Sequence, residues 1–252
     1  MPEWIPYETS DSPALEVTFD ADLIGDRDFQ HTHPHCATLI LSQFPAGSDG
    51  QPEDGAADAL FAFEQRVEAQ CSTNDAALVC TASGNRAYML VAYSAQPLTA
   101  ALQALTDAPF HVEISSKLDE GWGIYASYAL HGEELERARD ADLLAQMHES
   151  GEDLDADFDV TFVWTLPQTA NLNEANALLR DAGFEIDEPI EDEPTEDYEN
   201  IIAATRTMDL TVDTLASVRA ELGKLLAPLG ATYDYWEASP LDDDDANLEA
   251  MP

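Results

Sequence analysis

Three histidines and a cysteine crowd one short stretch, His31-Thr-His33-Pro-His35-Cys36. In an extended segment, side chains at i, i+2 and i+4 project from one face, and imidazole is a common metal ligand. The stretch therefore reads in two ways. It is the ligand face of a small-molecule- or metal-binding module, or it is a loop entering a strand. Pro34 interrupts the regular geometry, and no fourth ligand stands at a recognisable spacing, so the favoured reading carries no metal and no cofactor. Cys36, Cys71 and Cys80 lie too far apart for a zinc or redox motif and read as the free thiols of a reducing cytosol. Cys80 falls inside an apolar strand and reads as core, not as a nucleophile. Paired-carboxylate catalysis would need an acid whose pKa is set apart by burial or a partner. With 51 Asp and Glu in the chain, position alone singles out none. Nucleophile-elbow, P-loop and dinucleotide-binding signatures are all missing, so no residue is expected to be catalytic and the chain is expected not to be an enzyme.

The segment Tyr233-Asp234-Tyr235-Trp236-Glu237 points elsewhere. On a regular strand Tyr233, Tyr235 and Glu237 share one face, and Asp234 and Trp236 the other. Such a Trp either packs in the core or frames a recognition surface, because Trp and Tyr are favoured anchors of protein interfaces.

The elements that would hold these residues follow from apolar periodicity and turn chemistry. In the first part a strand is expected at Leu15–Phe19 and another at Ala37–Phe44, closed by Pro45. Asp54–Gln70 has helical spacing of Leu60, Phe63 and Val67. Strands at Ala77–Ala82 and Arg86–Tyr93 are joined by Ser83-Gly84-Asn85, which suits a tight turn. A short helix at Leu98–Leu105 and a strand at Phe110–Ile114 complete the set. The second part repeats the order. A leading helix at Asp142–Glu149 precedes a strand at Phe158–Leu166, and a helix capped by Asn173 ends at Gly183. Strands at Phe184–Asp187 and Ile201–Met208 flank an acidic loop, Glu191–Asp197, which reads as mobile. Thr211–Leu226 is a strong amphipathic helix, and Ala231–Trp236 a last strand. Both parts thus read as α+β, ferredoxin-like (split βαβ, βαββαβ) sandwiches in tandem, each with an antiparallel sheet and two helices on one face. The expected domains are 1–132 and 133–240, with 241–252 as an acidic disordered tail.

Charge narrows the function classes. The 252 residues carry only ten Lys and Arg, a formal net charge of −41. Residues 1–132 hold 19 acids and 4 bases, and residues 133–252 hold 32 acids and 6 bases. Binding to phosphate backbones or anionic membranes rests on Lys and Arg, so neither nucleic acid nor membrane is an expected partner. A basic protein partner, or a salty cytoplasm, fits. The N-terminus lacks the basic flank and apolar core of a signal peptide, and no apolar run is long enough to span a bilayer. A cytoplasmic location is expected.

The second part resembles the family called regulator of ribonuclease E activity B. The carriers are the helix opening Asp140-Ala-Asp-Leu-Leu-Ala-Gln-Met-His-Glu, the strand Val160-Thr-Phe-Val-Trp-Thr-Leu, the Ala-Gly-Phe-Glu turn at 182–185, and Thr207-Met208. The ending Tyr233-Asp-Tyr-Trp-Glu237 is similar to the family's Tyr-Asp-Gly-Trp-Glu, with Tyr235 in place of Gly. The first part is similar to an uncharacterised bacterial domain family of unknown function, through His33-Pro34, Thr81-Ala-Ser-Gly-Asn-Arg86 and Trp122-Gly-Ile-Tyr125; this implies no activity. The first resemblance implies a protein that binds an endoribonuclease of the ribonuclease E type and inhibits RNA cleavage without touching RNA. On that reading Tyr233, Asp234, Trp236 and Glu237 are the partner contacts, and acidic faces steer the module toward a basic segment of the nuclease.

Overall fold

The computed structural model describes residues 2–10, 14–47, 50–84, 86–105, 107–186 and 200–241, apart from the side chain of Asp54. The expected mobile loop Glu191–Asp197, the expected tail from Asp242 onward and Asn85 lie outside these residues. The chain divides into two compact units, Met1–Ala138 and Arg139–Pro252.

In the first unit the strands β1 (Trp4–Glu8), β2 (Glu16–Asp20), β3 (His35–Ser42), β4 (Ala76–Gly84), β5 (Ala87–Ser94) and β6 (His111–Leu118) form one sheet in the order β1-β2-β4-β5-β3-β6. Every pairing is antiparallel. The four strands β4-β5-β3-β6, connected through helices α2 (Asp54–Thr73) and α3 (Thr99–Gln103), have the split βαβ arrangement the sequence leads one to expect. The strands β1 and β2 extend it past β4.

Alternation along β5 shows how both faces are used. Leu90 and Ala92 join Leu39, Leu41, Leu60, Phe63 and Val67 beneath the helices. Val91 and Tyr93 point the other way, into a second cluster with Val17, Phe19, Trp122, Tyr125 and Leu135. Helices α1 (Arg27–Thr32) and α4 (Gly123–Ala126) contribute to that second cluster through Phe29 and Tyr125. The expectation of helices on one face alone is therefore too simple here, because β4 and β5 are buried along nearly their whole length and need cover on both sides.

Helix α5 spans Glu133–Glu149, longer than the expected Asp142–Glu149, and the division between the units falls inside it. Its Leu135 and Ala138 belong to the first unit's core, and Leu144 to the second's. Beyond it, β7 (Asp157–Leu166), α6 (Leu172–Asp181), β8 (Glu185–Ile186), β9 (Asn200–Asp209), α7 (Val212–Leu226) and β10 (Thr232–Pro240) follow. The sheet order is β10-β7-β9-β8, all antiparallel, a second ferredoxin-like arrangement. Strict alternation on β7 sends Phe158, Val160, Phe162, Trp164 and Leu166 into one core with Leu179, Leu215, Leu222 and Leu226. The N-cap of α6 is Asn171, whose Oδ1 accepts from the Glu174 amide, and not Asn173, which lies inside the helix.

Candidate functional site

Helix α7 turns an apolar stripe of Leu215, Val218, Leu222 and Leu226 onto the sheet, and Arg219 sits within it, 5% exposed. A guanidinium cannot shed its charge, so burial obliges it to find an acid. Asp140 on α5, 1% exposed, supplies one. Its Oδ1 accepts from Arg219 Nη1 at 3.2 Å, and its Oδ2 from Arg219 Nη2 at 2.7 Å. This two-pronged geometry is the strong form of the pair. The indole Nε1–H of Trp236 on β10 donates to the same Oδ1 at 2.8 Å. The Arg219 guanidinium also lies over the Tyr233 ring, 5.3 Å from its centroid, and Tyr233 meets Trp164 edge to face at 5.3 Å. Burial alone would lower the pKa of Arg219, but Asp140 and Tyr233 outweigh it and the net direction is upward. The middles of two helices and one strand are thus tied at a single carboxylate.

The strand that closes this network is not regular. Tyr233 pairs with Trp164, and the next aligned residue, Tyr235, pairs with Val163, leaving Asp234 as an extra residue. The expected split of Tyr233, Tyr235 and Glu237 from Asp234 and Trp236 therefore fails. The bulge at Asp234 shifts the alternation by one, so Tyr233 and Trp236 both pack on the core while Asp234, Tyr235 and Glu237 are exposed. Asp234 accepts a long hydrogen bond from the Thr165 hydroxyl at 3.4 Å. Trp236 is 8% exposed and belongs to the core cluster. Asp140 and Arg219 were missed by sequence reading. The available signal was an Arg on the buried stripe of α7 in a chain with only ten Lys and Arg.

Residues 137–238 match the model of the family Regulator of ribonuclease activity B. The second unit therefore carries a domain of that family. Both ends of the matched stretch, Asp140 and Trp236, meet in the buried network, so the stretch closes on itself through a hydrogen bond. No curated protein matches the chain. Among solved structures, an unknown protein from Galdieria sulphuraria is similar at 9% identity over 83% of this chain and 99% of its own, at a TM-score of 0.21, too low to establish a common fold.

The histidine stretch of the first unit does not form a single extended face. His31 lies in α1, His33 caps that helix, and His35 opens β3. His33 stacks on Phe29 at 3.8 Å and its Nε2 lies 3.5 Å from Asp75. The carbonyl of His33 accepts from Trp122 Nε1 at 3.1 Å, and the Trp122 ring stacks on Tyr93 at 3.9 Å. These contacts bring the His33-Pro34 and Trp122-Gly-Ile-Tyr125 segments together as core structure. Trp122 has φ 51, a strained setting for a bulky residue, fixed by those contacts. Among the described residues no group of His, Cys, Asp and Glu could hold a metal ion. A cavity of about 260 Å³ in this unit is lined by Trp4, Thr18, Glu64, Glu68, Leu78, Thr81 and Tyr88, and none of the three histidines reaches it. Cys80 is fully buried, and burial pushes its thiol up to about 12, which leaves it a neutral core side chain.

Proposed function

We propose that the protein is a protein-binding inhibitor of an endoribonuclease of the ribonuclease E type, acting in the cytoplasm without contacting RNA. The family match over residues 137–238 carries this reading. The acidity of the chain supports the choice of a basic segment of the nuclease as the docking target, since opposite charge speeds encounter and excludes wrong partners. Among the described residues, no helix is long and apolar enough to cross a membrane.

On this reading the β10 segment is the contact. Exposed Asp234 and Glu237 meet the partner directly. Tyr233 and Trp236 hold the strand in place from behind, through Arg219 and Asp140. Tyr235, 51% exposed, enlarges the contact surface where the family ending has Gly.

Cleavage of a defined RNA by the host's enzyme of this type, with and without the protein, tests the reading. Dose-dependent inhibition is expected, weaker at high salt. Unchanged cleavage at every salt concentration would refute it. Asp234→Ala with Glu237→Ala should weaken inhibition while leaving the unfolding transition in place. Undiminished inhibition by that variant would move the contact away from β10.

A further inference from the structure

On the second unit, a groove of about 280 Å³ opens where α5 passes the end of β10. Its apolar walls are Leu143 and Met147 on the helix, Phe158 on β7, and Ala238 and Pro240 on β10, and Gln146, Ser150 and Glu152 supply its polar lining. Leu143 is 38% exposed, so an apolar side chain is left facing water at its mouth. Small-molecule sites generally occupy about 300–1,000 Å³; this volume suits one bulky side chain of a larger partner better.

The charge along the segments that line the groove is one-sided, with Arg137 and Arg139 of α5 lying before them. From Asp140 to the end of α5, through the connection to β7, along the whole of β7 and along β10, there is no Lys or Arg. The same segments carry Asp142, Glu149, Glu152, Asp153, Asp155, Asp157 and Asp159, and Asp234 and Glu237 on β10. Asp140 is held by Arg219 within the core. β10 is the edge of its sheet, so no neighbouring strand of the sheet bars approach from that side. Apolar centre and acidic surround together describe the complement of a basic segment that carries a bulky apolar residue. Charge steers the segment, and burial of the apolar residue holds it.

We infer that this groove seats a bulky apolar side chain of a Lys/Arg-rich peptide segment, and that α5, together with β10, forms the docking face for the basic partner. This deepens, and rests on, the reading of the second unit as a protein-binding regulator.

The test uses the full chain and two short synthetic arginine-rich peptides, identical except that one has a central Phe and the other a central Ser. Burying a Phe side chain should make the Phe peptide bind at least about tenfold more tightly. Leu143→Arg should abolish that preference. Leu118→Arg, which adds the same charge at a 58% exposed apolar position on β6, should preserve it. Equal binding of the two peptides, or equal loss in the two variants, would overturn the groove and leave only bulk charge attraction. A wild-type dimer that Leu143→Arg converts to monomer would also overturn it, because a second copy would then be the occupant. So would recovery of Phe preference only after removal of residues 242–252, which would make the chain's own end the occupant. Nuclease inhibition is measured in parallel. Inhibition without Phe preference defeats the groove alone, and Phe preference without inhibition defeats the nuclease reading and leaves the groove standing.

Discussion

Asp140 is the residue on which the second unit is most exposed to damage. Three hydrogen bonds converge on its two oxygens, from Arg219 and Trp236, with water excluded from both partners of the ion pair. Breaking a buried pair from one side leaves the other charge without compensation, at a cost of about 3–5 kcal/mol. Asp140→Asn should therefore lower the unfolding free energy measured by urea denaturation by that order. Trp236→Phe, which keeps the ion pair and loses one hydrogen bond and part of a ring, should cost less, about 1–3 kcal/mol. The reverse order would mean that packing of the indole, and not the carboxylate, holds the strand. Glu64 in the first unit makes a pH prediction of the opposite kind. Burial raises its pKa, only partly offset by the hydrogen bond it accepts from Tyr88. A carboxyl with a raised folded pKa favours folding while it is protonated. That contribution is lost as pH rises through the folded pKa, and ionised Glu64 burdens the native state at neutral pH. Glu64→Gln should then raise Tm at pH 7, and the gain should shrink toward about pH 3, where the carboxyl is largely protonated in both states. Asp58→Asn removes the same charge from an exposed position on the same helix and controls for net charge. A gain no larger than that of Asp58→Asn would show that burial at Glu64 is not the cause.

At the scale of elements, β10 shows what a strand pattern can conceal. A bulge adds a residue, so deleting Asp234 should straighten the strand and keep Tyr233 and Trp236 on the core face. Deleting Glu237 should instead turn Ala238 and Pro240 outward and Ser239 inward. The first deletion should retain cooperative unfolding and the blue-shifted emission of a buried Trp236. The second should unfold at lower denaturant. Equal damage from both would remove the bulge as the explanation of the register. The strand was legible in the sequence because Thr232–Pro240 is rich in aromatic residues. The bulge was not, because the partner strand that exposes the two-against-one count, β7, lies far away in the chain. The core elements were legible for a related reason: Leu60, Phe63 and Val67 on α2, and the alternating apolar run of β7, report their own period. β1 and α1 carry little such signal. Trp4–Glu8 has one buried residue and Arg27–Thr32 none, so their places are set by tertiary partners. The Asp140–Arg219–Trp236 network joins residues 79 and 96 positions apart. The aspartate is one of 51 acids in the chain, and nothing local marks it.

For the whole molecule, the net charge of −41 acts on folding and on partner binding with opposite signs in salt. Folding draws like charges together, so self-repulsion works against the native state. Added KCl screens that repulsion, with a Debye length of about 10 Å at 0.1 M and about 3 Å at 1 M. Tm should therefore rise with salt. Attraction to a basic segment is screened by the same ions, so inhibition of the nuclease should fall over the same range. The two slopes separate explanations that otherwise look alike. If acidity served only to keep the protein folded and soluble in a salty cytoplasm, inhibition would follow folding and rise with Tm. If acidity also recruits the partner, inhibition declines while the protein becomes more stable. Measuring Tm and inhibition on one preparation across a KCl series decides between them. A Tm that does not move would further indicate that the acids are too dispersed in the native state to repel one another strongly.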